Sequence, residues 1–212
     1  MPRIITRLFD SFGDAEHAVI ELEKAGVPPG DISLVSHKYD KRHAHVRVAV
    51  REPHDLTSSQ AAAKEAATGA TVCGIAGAAG GVLAGLGVLA IPGLGPVVAA
   101  GWLATAAAGA VVGGVVVGAV GGLIGALTNA GVSREEAEVY AEGVRRGGTL
   151  VSAKIADDKL ATAEAALRAT PYVDMDARGS AYRSHGWNRF DEKAPPYSDE
   201  EIESERLRRV GR

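Results

Sequence analysis

The sequence predicts an α+β fold: a ferredoxin-like α/β sandwich of two βαβ units, split by a long glycine-rich hydrophobic helical hairpin. Three observations predict it. Polar segments with strand and helix patterning occupy both ends of the chain. The two ends repeat one strand–helix–strand grammar. Between Glu65 and Arg134 no charged residue occurs, and those 68 positions hold 18 of the 27 glycines.

The elements follow in order. Residues 3–9 (RIITRLF) are β-branched and apolar and read as a strand. Ser11 stands three residues before Asp14, a cap signal. Ala15, Ala18, Val19 and Leu22 then recur at helical spacing, one stripe of an amphipathic helix over 14–25. Gly26 can take the left-handed position that ends it. Pro28-Pro29-Gly30 is a turn, and 32–36 (ISLVS) is a second strand. Residues 45–50 (HVRVAV) alternate and are expected to pair with 32–36.

After the middle, Ser133 to Glu136 is a capping box opening a helix to about Arg146. Ala137, Tyr140, Ala141 and Val144 mark its buried stripe. Gly147-Gly148 stops it. Residues 149–155 (TLVSAKI) read as a strand, 158–169 as a helix, and 172–176 (YVDMD) as a last strand after Pro171. Paired βαβ units give a four-stranded antiparallel sheet with two helices on one face. The expected divisions are therefore 1–65 and 133–178 for the two halves of the α/β domain, 66–132 for the hairpin, and 179–212 for a polar tail with a short helix.

The middle is the unusual part. Residues 70–91 would span about 33 Å as a helix, close to the roughly 30 Å of bilayer hydrocarbon. Pro92, Gly93, Gly95 and Pro96 break the pattern and are expected to form the hairpin turn. Residues 97–128 follow as a second helix, with Trp102 placed as an interfacial aromatic would be. Glycines recur every fourth residue: Gly77, Gly81 and Gly85; Gly109 and Gly113; Gly114, Gly118 and Gly122. Such spacing puts them on one helix face and lets two backbones approach closely. The reading is a glycine-zipper hairpin held in membrane lipid, with self-association through the glycine faces. The alternative is a soluble homo-oligomeric assembly or scaffold that buries the hairpins between subunits.

Other chemistry is sparse. Lys plus Arg total 23 against 26 acidic residues, for a net charge of −3, and this balance argues against a nucleic-acid partner. Cys73, the lone cysteine, excludes an intrachain disulfide and suits a reducing compartment. It reads as a small packing residue. The opening residues carry no apolar run of signal-peptide length, so a cleaved export signal is not expected. Gly85, Gly87 and Ala90 fit a GxGxxA pattern, but Pro92 interrupts the helix that should follow and no acidic residue appears before Glu135, so no cofactor is expected. His37, His43, His45 and His54 cluster in one stretch. His43, His45 and Asp40 could bind a metal or sense protons, but Lys41 and Arg42 beside them favour a solvated loop. No catalytic residue is assigned and no enzyme is expected. In the tail, Trp187, Phe190 and Tyr197 could dock on a protein partner or on the chain's own sheet, ahead of a capping box at Ser198 to Glu201.

Several of these stretches together resemble a known family. RLFDS, AEHAVIELEKAGV and DISLV, the glycine-rich AIPGLGPVVAAG, and GVSREEAEVYAEGVRRGGTLVSAKI are similar to the general stress protein 17M-like proteins, small heat-induced or low-temperature-induced proteins of bacteria. The resemblance covers roughly residues 3–178. It rests on Ile91 to Pro96 (IPGLGP), Glu135-Glu-Ala137 with Tyr140, and Arg146-Gly-Gly148. It implies a bacterial stress role and brings no catalytic residue. With the hairpin in lipid, the expected location is the bacterial inner membrane with both ends cytoplasmic; with the hairpin buried between subunits, the cytoplasm.

Overall fold

A computed structural model describes residues 3–37, 87–91, 93–104, 106 and 122–210. Five strands form one antiparallel sheet: β1 (Arg3–Phe9), β2 (Ile32–Ser36), β3 (Gly87–Ile91), β4 (Gly95–Ala100) and β5 (Thr149–Ile155), in the order β1-β5-β2-β4-β3. The described helices are α1 (Phe12–Lys24), α2 (Leu123–Asn129), α3 (Arg134–Arg145), α4 (Leu160–Arg168), α5 (Met175–Ser184) and α6 (Asp199–Val210). The fold is mixed α+β.

Strand alternation assigns the side chains to two cores. Leu8, Leu150, Val35 and Ala99 face each other across β1, β5, β2 and β4, and all four belong to one buried cluster. Helices α2 and α3 cover that face with Leu123, Leu127, Tyr140 and Val144. One register step away, Val151, Leu34 and Ala100 turn to the opposite face. There α1 covers them with Ala15, Ala18, Val19 and Leu22, and α4 adds Ala163 and Leu167. Every residue of β2 is buried, as a central strand packed on both faces must be.

The caps form where the sequence places them. Ser11 Oγ accepts from the Asp14 amide at 3.1 Å, and Ser133 Oγ from the Glu136 amide at 3.2 Å. Each satisfies an amide that the first helical turn leaves unpaired.

Several expectations need correction. The strand expected at 172–176 does not form. Val173 N donates one hydrogen bond to Leu8 O on the outer edge of β1 (2.8 Å), and the chain then turns into α5 because Asp174 caps it, its side chain accepting from Ala177 N at 3.0 Å. The capping carboxylate competes with strand extension and wins. Residues 45–50, expected to pair with 32–36, lie outside the described residues; among those described, β2 is flanked by β5 and β4.

Of the helical hairpin expected over 66–132, the described residues show a helix near its end, at Leu123–Asn129; what is described around the expected turn is sheet. Residues 87–91 and 95–100 are paired strands, in register from Gly87 opposite Ala99 to Ile91 opposite Gly95. Pro96 and the glycines of the turn join two strands and not two helices. Val88, Ile91, Val97 and Val98 are β-branched, and a short uncharged run does not separate strand from helix by periodicity. No helix among the described residues is long and apolar enough to cross a membrane. The membrane-spanning reading, with its inner-membrane location, is therefore withdrawn.

Candidate docking site at the end of helix α3

The last turn of α3 gathers a cluster of buried polar contacts. Glu142 is fully buried, and its carboxylate faces two arginines one turn on. Arg145 Nε lies 3.2 Å from Oε2, and Arg146 Nε donates to Oε1 at 2.6 Å. Residues three and four apart share a helix face, so Glu-x-x-Arg-Arg brings both guanidiniums onto one carboxylate. Burial alone would lower the Arg146 pKa; the hydrogen bond and charge of Glu142, with Tyr197 and Tyr182 beside it, leave it above its ordinary value.

The C-terminal segment closes over this pair. Arg146 Nη1 donates to Glu205 Oε1 on α6 at 3.2 Å. The Arg146 guanidinium also sits 4.3 Å from the centre of the Tyr182 ring and 5.6 Å from that of Tyr197. Arg145 lies 5.1 Å from the Tyr197 ring and 5.7 Å from Phe190. Cations held over ring faces at such distances gain from the ring quadrupole, more so when partly desolvated.

The segment reaches two further surfaces. A side chain at Gly147 would meet Ile202 of α6 at 2.3 Å, so the absence of Cβ there makes the seat for Ile202. At the β3–β4 turn, Gly93 and Gly95 have φ of +75° and +76°. A Cβ at Gly93 would fall 2.8 Å from Glu192 Cα, and one at Gly95 2.8 Å from Pro196 Cβ. These two glycines thus serve the turn's left-handed backbone and the close passage of residues 190–196. Phe190 inserts into the core cluster that contains Leu94 of the same turn. Ser198 and Glu201 then complete a reciprocal capping box at the start of α6, through Ser198 N to Glu201 Oε2 at 2.7 Å and Glu201 N to Ser198 Oγ at 3.3 Å.

The residues singled out in the sequence are distributed unevenly. Trp187, Phe190 and Tyr197 come together at this docking site, on the chain's own body. Gly93, Gly95 and Pro96 lie in or beside the turn that it covers. Gly122 does not sit on a glycine-lined helix face: with φ of +80° it caps the start of α2, and a Cβ there would meet Ile91 Cγ2 at 3.0 Å. Gly77, Gly81, Gly85, Pro92, Gly109, Gly113, Gly114 and Gly118 lie outside the described residues, as do Cys73, Asp40, His43, His45 and His54. His37 is buried at the end of β2. Among the described residues no three His, Cys, Asp or Glu side chains are grouped to hold a metal ion.

Sequence reasoning missed Glu142, Arg145 and Arg146 as a site. The signal was present, since a carboxylate with arginines at both i+3 and i+4 is a compact ion cluster. Its burial was not legible, because the C-terminal segment that covers it starts more than forty residues later. Comparison of the chain with protein-family models, with curated proteins and with solved structures yields no match.

Proposed function

We propose that this chain is a non-enzymatic bacterial stress protein of the cytoplasm that acts by assembling with copies of itself. The observation that supports assembly is the unequal treatment of the sheet's two edges. The outer edge of β1 is blunted by the hydrogen bond from Val173, with Arg7 lying 4.9 Å from the Tyr172 ring beside it. The other edge is β3, Gly87–Ile91, five uncharged residues with no described strand on its outer side. An uncharged edge presents a row of amides and carbonyls that a second chain can pair.

The sequence supports the same reading. Described helices cover both faces of the sheet, yet residues 66–86 and 107–121 still carry no charge. A lone cysteine fits a reducing compartment, and the stress role comes from the family resemblance. The arrangement of β1, α1 and β2 around β5, with α4 following β5, supports a ferredoxin-like layer extended by β4 and β3.

The test is mass in solution. Light scattering coupled to size separation should give an assembly for the wild type and a smaller species for Val88→Lys, because an edge lysine suppresses strand addition. A wild-type chain that is monomeric at tens of micromolar would sink the reading.

A further inference from the structure

The docking site at the end of α3 has the composition of a peptide-recognition surface. The receptor side offers two arginines, a flat ring and a glycine seat. The incoming side offers Phe190, Tyr197, Ile202 and Glu205. Basic and aromatic meets acidic and aromatic, and every contact is between segments far apart in sequence.

The connection to this segment is very short. Trp187 is fixed to the body: its amide donates to Tyr182 O at 3.1 Å, and its ring lies 5.9 Å from that of Tyr182 in an edge-on arrangement. Phe190 is already buried in the core. Only Asn188 and Arg189, both exposed, lie between these two anchors. Two extended residues reach about 7 Å. A short hinge before a self-contained docking segment is the arrangement that favours exchange of that segment between copies.

The docked state also leaves polar groups unsatisfied. Arg145 Nη1 and Trp187 Nε1 are buried with no hydrogen-bond partner among the described residues. A buried polar group without a partner carries a desolvation cost that the docked state does not offset. Most of the segment between Asn188 and Glu201 remains exposed, and its hold rests on a few anchors.

We infer that residues 190–205 form an exchangeable arm, and that the Arg145–Arg146 surface with the Gly147 seat accepts the same arm from a second copy of this chain. In the exchanged pair, Glu205 and Tyr197 of one copy complete the site of the other. This deepens the assembly reading and rests on it for its purpose, but it uses a different surface from β3.

Deleting Asn188 and Arg189 in the full chain tests it. The arm then cannot span from Trp187 to its own seat. The expected result, with Val88→Lys also present to silence edge assembly, is a discrete dimer in which the amides of Gly93 to Gly95 keep their protection from hydrogen exchange. A monomer, with or without that protection, would overturn the inference. Should the deletion fail to fold, a labelled peptide of residues 188–208 is titrated into the full chain carrying Phe190→Ala and Glu205→Ala. Saturable binding that weakens at least tenfold when Arg146→Ala is added supports the inference; no binding refutes it. Without Val88→Lys the deletion variant should associate further through β3, so loss of edge assembly and loss of arm exchange are read separately.

Discussion

Arg146 joins two carboxylates from distant parts of the chain: Nε to Glu142 Oε1 at 2.6 Å, and Nη1 to Glu205 Oε1 at 3.2 Å. Glu142 is fully buried, so removing Arg146 strands a carboxylate that Arg145 alone must neutralise. Losing one partner of a buried pair typically costs about 3–5 kcal/mol. Arg146→Ala should fall near the lower end of that range, about 3 kcal/mol, because Arg145 stays. Arg146→Lys keeps the charge but not the fork that reaches both carboxylates, and should be intermediate. Urea denaturation gives the ranking; equal midpoints for the wild type and Arg146→Ala would contradict it.

The turn glycines are separable by their surroundings. Gly95 has φ of +76° and Pro196 Cβ 2.8 Å from where its own Cβ would stand; Gly186 has φ of +86° and open space around it. Left-handed backbone alone costs an L residue about 1–2 kcal/mol. Gly186→Ala should therefore lose about that much. Gly95→Ala should lose more, on the order of 3 kcal/mol, because overpacking adds to the backbone cost. It should also speed hydrogen exchange in the arm, and Gly186→Ala should not.

Local chemistry made much of this fold readable. Ser11 and Ser133 cap helices because hydroxyls three residues ahead of an amide do so regardless of tertiary context. Strands at 3–9, 32–36 and 149–155 follow from β-branched runs between turn residues. Residues 87–100 were illegible for a physical reason. Glycine, alanine and valine without charges carry no amphipathic phase, so only the neighbouring strand β2 decides that they pair as a sheet. At Val173 and Asp174 the misreading came from the cap: the aspartate side chain takes the Ala177 amide and ends the extended segment. The docking site was half visible. Its aromatics stood out, but their receptor, Arg145 and Arg146, looked like an ordinary helix C-terminus, where basic residues are expected.

Between β1 and β5, Thr6 and Ser152 are register partners whose hydroxyls lie 3.0 Å apart, both buried. Ser152→Ala leaves Thr6 Oγ1 without that partner and should cost about 1–2 kcal/mol. Thr6→Val in the same background removes the stranded hydroxyl and should recover most of the loss. A double-mutant cycle read by urea denaturation measures the coupling. Additive losses would show that the pair contributes nothing as a pair.

Burial raises the pKa of Glu192 above its ordinary 4.5, with Asp191 adding to the rise and Arg134 opposing it. Glu192 belongs to the arm, and its Cα lies 2.8 Å from where a Gly93 Cβ would stand. The sign of the effect on stability follows from linkage. The folded chain binds this proton more tightly than the unfolded one, so the contribution of Glu192 is fully present below pH 4.5 and is lost as the pH rises through its folded pKa. Glu192→Gln is neutral throughout and escapes that loss. It should therefore match the wild type at pH 4 and be slightly more stable at pH 7. Urea midpoints for both proteins from pH 4 to pH 8 measure the difference, with the exchange rates of the Gly93 to Gly95 amides reporting whether the arm carries it. A gap that widens toward acid would mean that Glu192 is held by a cation and not pressed into the turn, and that the arm closes over Gly93 in another way.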